Sequence, residues 1–181
     1  MPEVPFSLLR FEAGGPHAGL AAGGSLCLEG SRLTARWRLD GDLAALSIPE
    51  PAAAPLRRDG LWRDTCFELF LASPASPGYR EFNLAPAGDW NAYSFTAYRQ
   101  GMQPIPAAQR LPFTIDRTAA TFTLTLQLPA ELLPEADGPL VAAACAVLRS
   151  GDGPPSHWAL RHGGQRPDFH RRDSFLLRLE P

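Results

Sequence analysis

Arg32-Leu-Thr-Ala-Arg-Trp-Arg-Leu39 and Thr121-Phe-Thr-Leu-Thr-Leu-Gln-Leu128 alternate polar and apolar residues without a break. In the first, Leu33, Ala35, Trp37 and Leu39 fall on one side, and Arg32, Thr34, Arg36 and Arg38 on the other. In the second, Phe122, Leu124, Leu126 and Leu128 oppose three threonines and Gln127. A period of two is that of an extended chain with one face buried and the other wet, so both stretches are predicted strands.

Outward from these two, further strands are predicted over 6–11, 43–48, 65–71, 79–84, 90–98, 140–148, 157–160 and 174–179. Breaker-rich pieces separate them, among them Ser73-Pro-Ala-Ser-Pro-Gly78, Pro86-Ala-Gly-Asp89 and Gly151-Asp-Gly-Pro-Pro155. Gly14-Gly15 and Gly23-Gly24 read as turns. Leu140-Val-Ala-Ala-Ala-Cys-Ala-Val-Leu148 is apolar on both sides, as in a central strand covered twice or a buried helix; periodicity does not separate the two. Helical signal is otherwise confined to one turn at Pro129-Ala-Glu-Leu-Leu133, where proline suits the first position. Many short strands with frequent breakers predict an all-β sandwich or barrel, and the lack of βαβ alternation disfavours doubly wound and TIM-type folds.

The length of 181 residues suits one domain over 1–181 that needs no disulfide or metal staple. Apolar residues make up 45% and charged residues 20%, the balance of a globular chain rather than a disordered or membrane one. All 17 basic residues are arginine, and the net charge is −2, which gives phosphate-backbone binding little support, so no nucleic-acid partner is expected. No secretory signal or membrane helix is legible, and three cysteines, Cys27, Cys66 and Cys145, sit in apolar runs that suit buried thiols. A reducing cytoplasm is the expected location.

No Gly-x-Ser-x-Gly elbow, phosphate loop, dinucleotide glycine pattern or His-Glu-x-x-His helix occurs. His157, His162 and His170 share the C-terminal third with Asp168 and Asp173, but an odd interval puts His157 and His162 on opposite faces of a strand, so no metal site is expected. The hairpin predicted over 65–84 is more informative. It places Tyr79, Glu81 and Asn83 on one face, and it sets Glu68 between Phe67 and Leu69, where a carboxylate must be hydrogen-bonded or face a polar cavity. Trp62, Glu68, Glu81 and Asn83 combine a flat ring with planar hydrogen-bonding groups, the mixture that recognises a sugar. The alternative is a core tryptophan, with Glu68 paired to Arg63 or Arg80.

The segments Leu61-Trp-Arg-Asp-Thr-Cys-Phe-Glu-Leu-Phe70, Tyr79-Arg-Glu-Phe-Asn-Leu-Ala-Pro-Ala-Gly-Asp-Trp90, His157-Trp-Ala-Leu160 and 166–179 resemble the DOMON-like superfamily, in particular its type 9 carbohydrate-binding modules. The resemblance implies a sandwich of two antiparallel sheets without catalytic machinery, holding a small ligand in a concave face or end pocket. Sugar-binding relatives clamp a terminal sugar between two tryptophans. Trp62 matches the first; at the second, Phe169 is the nearest aromatic. Where those relatives carry an arginine two residues before the asparagine, this chain has Glu81. The expected site is therefore Trp62, Glu68, Glu81, Asn83 and Phe169, with Arg166 or Asp168 contributing from the 161–173 loop.

Other DOMON relatives bind haem through methionine and histidine, which here means Met102 with His162 or His170. A carboxylate-dependent glycoside hydrolase using Glu68 and Glu81 is the third reading. No cofactor is expected; a structural calcium ion would draw on Asp64 and Asp89.

Overall fold

The computed structural model describes residues 3–12, 17 and 19–180. Among them, the strands in chain order are β1 (Val4–Ser7), β2 (Leu9–Arg10), β3 (Ala21–Glu29), β4 (Arg32–Asp40), β5 (Cys66–Ala72), β6 (Tyr79–Leu84) and β7 (Trp90–Phe95), followed by β8 (Gln103–Pro104), β9 (Phe113–Arg117), β10 (Thr121–Leu128), β11 (Leu140–Leu148), β12 (Ser156–Ala159) and β13 (Leu177–Leu179). They form two antiparallel sheets. The smaller runs β1-β3-β4-β10-β9, and the larger runs β2-β12-β11-β5-β6-β7-β8. One edge of β11 is shared: its first residues pair with β13 and its last four with β12.

The two alternating stretches lie side by side as β4 and β10, with Trp37 opposite Leu124 and Leu39 opposite Phe122. Their apolar sides face the larger sheet. Trp37 meets Phe67 edge-on at 6.2 Å, and Phe67 stacks on Phe122 at 5.2 Å and 10°. Such aromatic pairs add roughly 0.5–1.5 kcal/mol each beyond the area they bury.

The larger sheet is covered twice, which is why its central strands lack alternation. Phe67, Leu69 and Leu71 of β5 point into the sandwich, as do Phe82 and Leu84 of β6 and Ala142, Ala144 and Ala146 of β11. On the opposite side, Phe70, Tyr79, Tyr93, Phe95, Ala143 and Cys145 form a second cluster, roofed by Phe169 and Phe175 from the segment between β12 and β13. Both readings left open for 140–148 are thereby resolved in favour of a central strand.

Several expectations need correction. Residues 43–48 form a turn rather than a strand: Leu46 N–H donates to Leu43 O, and these two leucines, three apart, plug the end of the core. Gly23-Gly24 is not a turn but the middle of β3, a strand the sequence reading missed along with β9. A β-carbon at Gly24 would stand 1.8 Å from the Arg36 carbonyl oxygen, so the glycine serves close approach of two backbones. Residues 6–11 divide between two sheets as β1 and β2, residues 90–98 leave the ladder after Phe95, and 174–179 keeps only its last residues as strand after a 3-10 turn at Arg172–Ser174. The one-turn reading at 129–133 corresponds to a 3-10 turn, Ala130–Leu132. Gly14-Gly15 lies outside the described residues. Among those described, no helix is long and apolar enough to cross a membrane.

Candidate functional site

A cavity of about 310 Å³ opens on the outer face of the larger sheet, at the small end of the ~300–1,000 Å³ usual for small-molecule sites. Strand pleating decides what reaches it. Residues 66, 68 and 70 of β5 and 79, 81 and 83 of β6 point outward, and register sets Glu68 opposite Asn83 on one side and Cys145 on the other. Glu81 stands opposite Phe70 and Tyr93. Glu68 and Glu81 are thus diagonal neighbours on the floor. Val147 and His157, opposite each other on β11 and β12, complete one side.

The walls come from loops. Trp62, in the 3-10 turn Leu61–Arg63, is 37% exposed and rests edge-on against Tyr93 at 6.2 Å. Phe95, Arg99 and Met102 line the cavity from the end of β7 and the turn after it; Pro167, Phe169 and His170 line it from the segment before β13. Arg99 alone among the described non-glycine residues has positive φ, 53°, and is fixed there on three sides. Its backbone N–H donates to the Tyr79 hydroxyl at 3.1 Å, its Nη2 lies 2.8 Å from Asp168 Oδ1, and Asp168 Oδ2 accepts from the Tyr98 hydroxyl at 2.5 Å. The Tyr79 hydroxyl, already accepting, has its proton free for His170 Nδ1 at 2.7 Å. That network assigns the ring proton of His170 to Nε2, 3.9 Å from Glu81 Oε2.

Burial sets the charges. It pushes Glu81 up to about 7, against the hydrogen bond from Asn83 and the Arg99 charge. Burial and then the charge of Glu81 hold Glu68 well above the usual carboxylate range. Burial, aided by Arg99, lowers His170 to about 4, so the ring is neutral at neutral pH. Asp168 goes the other way: burial alone would raise it, but the bonds from Tyr98 and Arg99 outweigh that and keep it ionised.

Of the expected residues, Trp62, Glu68, Glu81 and Phe169 line the cavity together. Asn83 is fully buried behind them, its Nδ2 donating to Glu81 Oε1 at 2.7 Å, and so it orients the carboxylate rather than lining the space. Asp168 anchors Arg99, and Arg166 is exposed outside the lining. The pairing of Glu68 with Arg63 or Arg80 is not observed: Arg80 donates instead to the Glu131 carbonyl, and Glu68 Oε1 has no hydrogen-bond partner. Arg99 and His157 were missed; nothing in their sequence neighbourhoods separates them from surface arginines and strand histidines. Asp64 and Asp89 lie outside the cavity lining and take protein donors, Thr65 N–H with Arg149 and Leu56 N–H with Arg58. His162 Nε2 bonds the Leu9 carbonyl, away from Met102, whereas His170 and Met102 do share the cavity.

No family model and no curated protein matches the sequence. Solved structures do match it. A proposed carbohydrate-binding protein from Bacteroides uniformis superposes with a TM-score of 0.71 at 14% identity, over 99% of this chain and 85% of the other. At this identity the likeness is one of fold, a sandwich of two antiparallel sheets. A family 9 module from Caldicellulosiruptor kristjanssonii, in complex with cellotriose, matches at a TM-score of 0.63 and 6% identity, over 97% of this chain and 80% of that one. The same organism's family 9 module in complex with glucose matches at 0.60 and 6%, over 94% and 79%.

Proposed function

We propose that the chain is a non-catalytic module that holds a small sugar on the outer face of its larger sheet. One observation carries this reading: the cavity combines aromatic walls, Trp62 and Phe169, with a floor of buried carboxyls. Rings cover the C–H face of a pyranose while carboxyls bond its hydroxyls, and a few convergent polar groups in an otherwise apolar pocket confer orientation. The complexes of like-folded family 9 modules with cellotriose and glucose support the same ligand class.

Catalysis is disfavoured by the arrangement of the acids. Glycosidases place two carboxyls on either side of the scissile bond; Glu68 and Glu81 rise side by side from adjacent strands beneath the ligand space. Haem is the runner-up, on the observation that Met102 and His170 line one cavity. The small volume and the acidic floor favour a hydroxylated ligand over a macrocycle.

Titration with glucose, cellobiose and haemin, followed by tryptophan fluorescence and Soret absorbance, tests the reading. A saturable sugar response is expected, weakened about thirtyfold or more in Trp62→Ala, as befits loss of a central aromatic anchor. Unchanged affinity in that variant overturns the placement, and a Soret band without a sugar response replaces sugar by haem.

A further inference from the structure

The floor of the cavity holds two acids with no counter-ion between them. Glu68 is 3% exposed and lines the cavity, yet its Oε1 meets no donor. A buried polar atom left in that state costs about 1–3 kcal/mol, and such atoms are uncommon enough in native folds to call for an explanation. Glu81 engages Asn83 through Oε1, but its Oε2 has only the His170 ring at 3.9 Å, beyond hydrogen-bonding distance.

The groups that could neutralise the pair are committed elsewhere. Arg99 lines the same cavity and its charge favours both carboxylates, but its Nη2 is paired with Asp168; His157 is bound to Glu12, and His170 is kept neutral by burial and by Arg99 itself. The other titratable neighbours are the thiols of Cys66 and Cys145 and the hydroxyls of Tyr79 and Tyr93; burial raises all four, so they stay protonated and bring no positive charge. What the floor lacks is a cation with hydrogen-bond donors, and the walls above it are aromatic, the surface a cation also prefers.

On the basis of the sugar-holding role, we propose that the natural ligand is an amino sugar, its ammonium seated on Glu68 and Glu81 and its ring against Trp62. The ammonium supplies donors to Glu68 Oε1 and Glu81 Oε2 and makes both carboxylates favourable. The protons the acids carried leave to solvent, about half a proton or more at neutral pH for a group that titrates near 7. Affinity therefore rises with pH as Glu81 ionises and falls again once the sugar's ammonium loses its own proton.

Isothermal titration near pH 7 with glucosamine, N-acetylglucosamine and glucose, each in two buffers of different ionisation heat, decides the matter. Glucosamine is expected to bind roughly tenfold more tightly than either neutral sugar, with a buffer-dependent heat that reports proton release, and Glu81→Gln is expected to narrow the gap between glucosamine and glucose. If glucose binds as tightly as glucosamine and no proton is released, the amine preference is wrong while the sugar site stands. If none of the three binds, the sugar site falls with it.

Discussion

Glu81 shows how much of this site is held against its own solvation. Its pKa of about 7 lies above the 4.5 of a free glutamate because burial disfavours the charged form. A carboxyl raised in the folded state stabilises the fold fully below its unfolded value, and that contribution is lost as pH rises through the folded one. The unliganded protein is thus expected to lose stability between about pH 5 and 8, by on the order of 3 kcal/mol from this residue alone. In Glu81→Gln the loss shrinks, so the variant should melt higher than wild type near pH 8 and level with it at low pH; thermal melts across that range measure it. His170, lowered to about 4, acts oppositely: its contribution is present above the usual histidine range and lost as pH falls. Amplified ligand stabilisation at high pH is the complementary sign that the acids await a cation.

At the scale of elements, legibility tracked how many faces a strand shows to water. β4 and β10 have one wet face, and their alternation gave them away; β5 and β11 are buried on both, and for β11 the pattern left a central strand and a buried helix open. β3 stayed hidden because its two glycines carry no side chain to report a face. The glycines are nonetheless demanding positions: with the β-carbon of an alanine at 24 only 1.8 Å from a backbone oxygen of β4, and 2.8 Å from the Phe6 ring, the ladder has to part. Gly24→Ala is expected to cost several kcal/mol, among the severe class of point substitutions, readable as a lowered denaturant midpoint. The site divided in the same way. Glu68 and Glu81 were legible as acids in strands with apolar neighbours and Trp62 as a flat residue just ahead of β5, whereas Arg99 enters the cavity from the turn after β7, in a left-handed conformation that nothing in Tyr98-Arg-Gln-Gly101 announces.

For the whole molecule, the open edges of both sheets are blunted. β2 and β8 have two residues each, β1 and β8 carry Pro5 and Pro104, and β9 ends in Asp116 and Arg117. Short, proline-bearing or charged edges resist pairing with a second copy, so sedimentation over a wide concentration range should give the mass of a single chain; a concentration-dependent dimer would locate an unblunted edge. The double covering of the larger sheet has one more consequence. Phe67 belongs to the core and Glu68 to the cavity, and one step along the backbone separates them. Inserting or deleting a single residue within β5 would exchange the two roles, sending an acid into the dry interior and a ring into the ligand space. Length within that strand is therefore frozen, and lineages descending from this architecture can diverge there by substitution alone, leaving the loops to absorb every change in size.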